Sequence, residues 1–205
     1  MKEINIILLQ EVTLPVFDDI RGFTAYTNIG TTGWRTATLT RGHIQLTKIV
    51  CLPTGRRMVA DFQNVTIVNI HAPSEAERRR NKENIFSNEV PYLIRASHHR
   101  SWLDFNSVLT NLDAAGHSNY SRGLQEFIRG FVLIDKWATS QKRTTYTHYN
   151  NRGSSKIDTI YGSRNLSRHK RGAETRIPAF TDLLAVVLRS ALESNTMQLD
   201  AVIER

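Results

Sequence analysis

With 205 residues, 40% of them apolar, the chain is long enough for one domain with a real core and too apolar for a disordered segment. Its formal net charge of +8 points to a polyanionic partner, either nucleic acid or an acidic membrane surface. Its single cysteine, Cys51, excludes an internal disulfide and a cysteine-based zinc site.

The N-terminus does not read as a signal peptide, because Gln10-Glu11 follow at once on the short apolar run from Ile6 to Leu9. No run approaches the roughly 20 apolar residues of a membrane span. A soluble, intracellular protein, nuclear or cytoplasmic and not secreted, is expected.

The first half reads as strands. Ile4–Gln10 is a short apolar segment that suits a buried strand. Gly33–Thr40, His43–Leu52, Arg57–Phe62 and Val65–Ile70 follow, split by turn signals such as Arg41-Gly42 and Pro53-Thr54-Gly55. Cys51, within Ile49–Leu52, reads as a small core residue rather than a nucleophile. Ala72-Pro73-Ser74 opens a helix with Ser74 as N-cap, running to about Arg95 and kinked or split at Pro91. Arg78-Arg79-Arg80 reads as pairing within that helix with Glu75, Glu77 and Glu83. Ser101–Phe105 is a strand end and Ser121–Arg129 a short helix packed through Leu124 and Ile128. Further strands are expected at Thr144–Tyr149, Lys156–Tyr161 and Leu184–Leu188, and the tail from Ala191 to Arg205 as a helix. The order of elements suggests a two-sheet α/β arrangement.

Polar residues gather where these strands end. The segments are Leu9-Gln10-Glu11, Asn69-Ile70-His71-Ala72-Pro73, Asp104-Phe105-Asn106, Lys156-Ile157-Asp158 and Thr181-Asp182-Leu183. Each alone is weak, since an acid at a strand end is usually a turn residue. As an ordered set they can converge on one rim of a sheet pair. Mg²⁺ takes such carboxylate oxygens, keeps waters and accepts phosphate oxygens, and amide and imidazole groups beside it can hold a phosphate.

The set resembles the endonuclease/exonuclease/phosphatase superfamily, and its wording is most like the endonuclease domain of insect non-LTR (LINE-type) retrotransposons. That signature runs Leu-Gln-Glu, Asn-x-Tyr/His-x-Pro, Gly-Asp-x-Asn, Arg-x-Asp, Ser/Thr-Asp-His, and the order is kept from residue 4 to about residue 189. The resemblance implies a two-sheet α/β sandwich of the deoxyribonuclease/abasic-site endonuclease type over 1–189, with a C-terminal tail over 190–205. It implies Glu11 as main ligand of Mg²⁺, or Mn²⁺ in its place, with Asp182 in support. It makes His71 a contact of the scissile phosphate, Asp104 the group orienting the water and Asn106 a holder of the phosphate. Asp158 becomes the carboxylate that orients a catalytic histidine, and Asn69 joins the catalytic set. DNA is the implied partner of a monomer with no membrane and no small-molecule cofactor. From Lys142 to Arg176 nine Lys/Arg stand against two acids, and Lys142, Arg143, Arg152, Lys156 and Arg164 are candidate phosphate contacts.

Three departures bear on activity. Leu183 stands where the signature has histidine, and leucine neither accepts nor donates a proton. The family's first strand, ending in an Asn near the metal, and its first helix are missing ahead of Met1, so an unpaired sheet edge is expected. Trp102-Leu103 replace the glycine before Asp-x-Asn. Together they fit a degenerate copy. The sequence therefore carries three readings: an impaired Mg²⁺-dependent DNA endonuclease, a non-catalytic nucleic-acid-binding relic of one, and a phosphatase of the same fold.

Overall fold

A computed structural model of the chain describes residues 5–12, 20–31, 33, 35–63, 65–73, 79–95, 101–105, 107–109, 114–115, 120–135, 146–150, 153–157, 159–164, 170–176, 185–191 and 198–204. For 95, 101–104, 114–115, 148–150, 170–176, 185–191 and 198–204 the backbone alone is described.

In chain order the strands are β1 (Ile6–Gln10), β2 (Phe23–Ile29), β3 (Arg35–Arg41), β4 (Thr47–Cys51), β5 (Arg57–Phe62) and β6 (Val65–Ile70). A helical stretch follows as α1 (Arg79–Asn84), a π-helical turn (Ile85–Glu89) and α2 (Val90–Arg95). Then come β7 (Ser101–Asp104), β8 (Ala114–Ala115), α3 (Arg122–Gly130) and β9 (Leu133–Asp135). The remainder is β10 (His148–Asn150), β11 (Gly153–Ser155), β12 (Ile160–Ser163), β13 (Lys170–Arg176), β14 (Ala185–Ala191) and β15 (Gln198–Glu204).

Two six-stranded sheets are formed, in the orders β13-β14-β15-β1-β3-β2 and β4-β5-β6-β7-β12-β9, beside a small sheet β10-β11-β8. This is the two-sheet α/β architecture that the element order suggests. β6 is buried along its whole length, as a β-branched strand must be when one face meets the other sheet and the other meets helices. β1 alternates instead, with Ile6, Leu8 and Gln10 buried and Ile7 and Leu9 half-buried.

The helix-side core joins Val59, Val68 and Ile70 to Ile85, Phe86, Val90 and Ile94, and to Leu124 and Phe127 of α3. Phe105 sits edge-on to both Phe86 (centroids 5.4 Å) and Phe127 (5.6 Å), an arrangement aromatic quadrupoles favour. α3 is capped by Ser121, whose Oγ accepts from the Leu124 amide at 3.1 Å. Glu83, expected to pair within its own helix, instead accepts from the Arg122 and Gly123 amides at 3.2 and 2.5 Å, placing a carboxylate on the positive end of α3. Gly123 leaves room for it, since a Cβ there would lie 2.8 Å from Glu83 Oε2.

Several expectations change. The kink at Pro91 is realised as the π turn just before it, where the Val90 amide donates to Ile85 O. Proline lacks the amide that would continue the ladder, and a π turn is one way a helix absorbs such a break. β2 was not foreseen, because Phe23–Ile29 mixes small and polar residues and its exposed face hides the alternation. The tail read as a helix holds a strand, β15, where Leu199, Val202 and Ile203 favour extended structure. β15 lies parallel to β1 and antiparallel to β14, so β1 is paired on both sides and the expected open edge beside it is filled. Cys51 is exposed on the outermost strand of its sheet, not in the core. No helix among the described residues is long and apolar enough to cross a membrane.

Lys82, on α1, is buried, and that burial pulls its pKa from 10.5 down to about 8, against a smaller opposite effect of Glu83. The folded value lies below the unfolded one, so between about pH 8 and 10.5 the unfolded chain binds more protons and stability rises with pH. At about 1.4 kcal/mol per unit the rise is roughly 3 kcal/mol. Urea denaturation is expected to show it in the parent chain and not in Lys82→Met; parallel pH profiles for the two would refute it.

Candidate active site

The site is built from strand ends. β6 and β7 run parallel with Asn69 opposite Asp104, and Asp104 is in turn opposite Ile160, the first residue of β12. The turn after β7 is tied to the segment before β12, because the Ser107 amide donates to Ile157 O at 3.2 Å. On the other sheet β1 ends at Gln10, and β14 runs antiparallel to it across β15, so Ala185 begins at the same end. The C-terminal ends of β1, β6 and β7 and the starts of β12 and β14 therefore supply one rim.

Glu11 follows β1 with a backbone φ of +53°, left-handed, which is unusual for a non-glycine residue. Its half-exposed carboxylate meets the buried His71 of the opposing sheet, Oε1 lying 3.3 Å from Nε2. His71 is held by its backbone, whose amide donates to Arg56 O at 2.8 Å. Beneath the pair lies Asn69, 0% exposed. Asn69 Nδ2 donates to Leu9 O (3.1 Å) and Ala37 O (3.0 Å), and Gln10 Nε2 donates to Asn69 Oδ1 (3.4 Å) and to Ile70 O (3.1 Å). Asn69 thus spends its amide on hydrogen bonds inside the protein. Gln10 has the same standing, and its burial was foreshadowed by its place in phase with Ile6 and Leu8.

The structure brings Glu11, Asn69 and His71 together and puts the backbone of Asp104 in register beside them. Asn106, Asp158, Asp182 and Leu183 lie outside the described residues, as do Lys142, Arg143 and Arg152. Lys156 does not join a basic face: it is buried, and its Nζ lies 2.5 Å from Asp135 Oδ2. A cation lodged next to a strand end must find a carboxylate or leave, and Asp135 at the end of β9 supplies one. Arg164 is exposed just beyond β12. Arg57, which the sequence did not single out, pairs with Glu89 on the helix side, and burial, helped by the neighbouring Arg56, lowers its pKa.

Among the described residues no three His, Cys, Asp or Glu gather as a ready metal cage. The donor chemistry fits a hard cation nevertheless. Mg²⁺ is commonly held by one or two carboxylates with waters and substrate oxygens completing its shell, and the Glu11 carboxylate is turned to solvent.

No family model matches the sequence, and no curated protein matches it. Solved structures do. An AP endonuclease from Archaeoglobus fulgidus superposes with a TM-score of 0.75 at 13% identity, over 92% of this chain and 89% of that one. The 3'-5' exonuclease NExo from Neisseria meningitidis gives 0.74 at 16% identity, over 91% and 89%. The endonuclease domain of TRAS1, a telomere-specific non-LTR retrotransposon, gives 0.67 at 13% identity, over 93% and 87%. At such identities the likeness is one of fold: the chain adopts the AP-endonuclease/deoxyribonuclease-type sandwich.

Proposed function

We propose that this chain is a metal-dependent phosphodiester hydrolase acting on DNA, an endonuclease of the retrotransposon type whose turnover Leu183 impairs. The observation that carries the reading is the meeting of Glu11 and His71 across two sheets, at the rim where Asp104 ends β7. The similar folds of an AP endonuclease, an exonuclease and a retrotransposon endonuclease support it.

In this reading Glu11 and Asp182 hold Mg²⁺, or Mn²⁺ in its place, which when bound stabilises negative charge on the phosphate oxygens. His71 and Asn106 grip the scissile phosphate, Asp104 orients the attacking water, and Asn69 holds the floor. Asp158 is left without the histidine that it would orient, since residue 183 is leucine. Arg164, with Lys142, Arg143 and Arg152, positions the duplex through its phosphates. The catalytic unit spans 1–189, with β15 completing its first sheet. We read the protein as an intracellular monomer, nuclear or cytoplasmic, that acts on DNA.

Leu183 also favours a second reading, a nucleic-acid-binding protein without turnover. Nicking of supercoiled plasmid in Mg²⁺, with duplex binding measured across salt concentrations, separates the two. Slow nicking that Glu11→Ala abolishes supports the enzyme. Salt-sensitive binding with no nicking in either protein supports the binder. Phosphate released from small monoesters, with DNA untouched, would overturn both.

A further inference from the structure

The two residues before Glu11 are pinned to the two residues before His71. Asn69 reaches across to the carbonyl of Leu9, and Gln10 reaches back to Asn69 and to the carbonyl of Ile70. The next residue on each strand is a member of the candidate site. Both pinning side chains are almost completely buried.

The consequence shows in the backbone of Glu11. Gln10 faces the opposing sheet, so in an extended strand residue 11 would face away from it. Glu11 instead takes φ +53° and its carboxylate arrives at His71 on that opposing sheet. Left-handed backbone is unfavourable for a residue with a Cβ, and it persists where the surroundings over-determine it. Hydrogen bonds at Leu9, Gln10, Asn69 and Ile70 provide that surrounding, and each donor is a side-chain amide.

We propose that Gln10 and Asn69 are positioning residues: an interlocked pair of amides that holds Glu11 in its left-handed conformation and so aims its carboxylate at His71 and the cation site. The inference deepens the functional reading above and rests on it only where it invokes the cation.

The test is Gln10→Met, which keeps length and volume and removes the donor. The crystal structure of the variant is expected to show Glu11 at negative φ, with its carboxylate more than about 4 Å from His71, beyond direct pairing. Mn²⁺ affinity by titration calorimetry is expected to fall about 10-fold, the scale seen when groups supporting a metal ligand are lost. A variant that melts lower yet keeps the positive φ and the Glu11–His71 contact would overturn the proposal, because the amides would then only join the sheets. A parent chain that binds no Mn²⁺ would sink the metal reading of Glu11 and leave the variant's geometry to judge the clamp. Should Gln10→Met fail to fold, Glu11→Gly and Glu11→Ala read the strain directly. Both lose the carboxylate, and only the first relieves a left-handed backbone. The glycine variant is expected to melt higher, and the reverse order would overturn the proposal.

Discussion

Leu183→His is expected to raise plasmid nicking by about 10²–10⁴-fold, the usual worth of positioned general acid–base help. Leucine offers no lone pair and no proton, so a water or leaving oxygen near it receives no assistance. The described part of the site is set by other residues. Glu11 and His71 meet through their own strands, and Asp104 is set by its pairing with β6 and β12. In the proposed reading Asp158 is the carboxylate that orients a histidine at 183. The assay is initial nicking rate in Mg²⁺ for the parent chain, Leu183→His, and Leu183→His with Asp158→Asn. Restoration that the second change cancels is the expected pattern. A variant that stays as slow as the parent while folded would show that the loss of activity lies elsewhere, with the Trp102-Leu103 replacement before Asp104 the first place to look.

Phe105→Ala is expected to cost about 3–5 kcal/mol, the range for emptying a buried aromatic position. Phe105 is 1% exposed and touches three rings, with Tyr161 at 5.2 Å besides Phe86 and Phe127. A truncated side chain leaves a space bounded by the helical layer on one side and β12 on the other, and elements so tied cannot collapse into it. At roughly 2–4 °C per kcal/mol for a chain of this size, the melting temperature should drop by about 10 °C. Urea denaturation of Phe105→Ala beside Phe105→Leu checks it, and a loss below about 1 kcal/mol would show that the ring cluster is not what holds the sheet to the helices. Phe105 also separates Asp104 from Asn106, so the same substitution reaches the site through the chain.

Much of this was legible in the sequence where burial imposed a period. Val65–Ile70 stands where its β-branched run puts it, Arg57–Phe62 is the strand expected there, and the short helix expected from Ser121 forms with Ser121 as its cap. Glu11, Asn69 and His71 converge as an ordered set of strand-end residues should. What the sequence hid was decided by partners distant in the chain. Lys156 read as a surface cation because nothing near it in sequence announces Asp135, 21 residues earlier. Asn69 was placed in the catalytic set with no partners to name, because its acceptors, the carbonyls of Leu9 and Ala37, lie on another sheet. Gln198–Glu204 carries charge at both ends of a short apolar run, which suits a helix end or a strand equally until β1 and β14 are seen on either side.

The place of β15 has a bearing on how the chain folds. Ile6 is partnered by Ala201, and Leu9 by Glu204, so the middle of the first sheet joins segments separated by nearly the whole described length. At ribosomal speeds of about 5–20 residues per second, roughly 10–40 s separate the synthesis of one partner from that of the other. During that interval β1 has β3 on one side and a row of open amides and carbonyls on the other. Pairings this remote in sequence close late and slowly. The nascent chain therefore carries a sticky strand throughout that interval, and its yield in a cell should depend on chaperones that shield such edges until β15 is made.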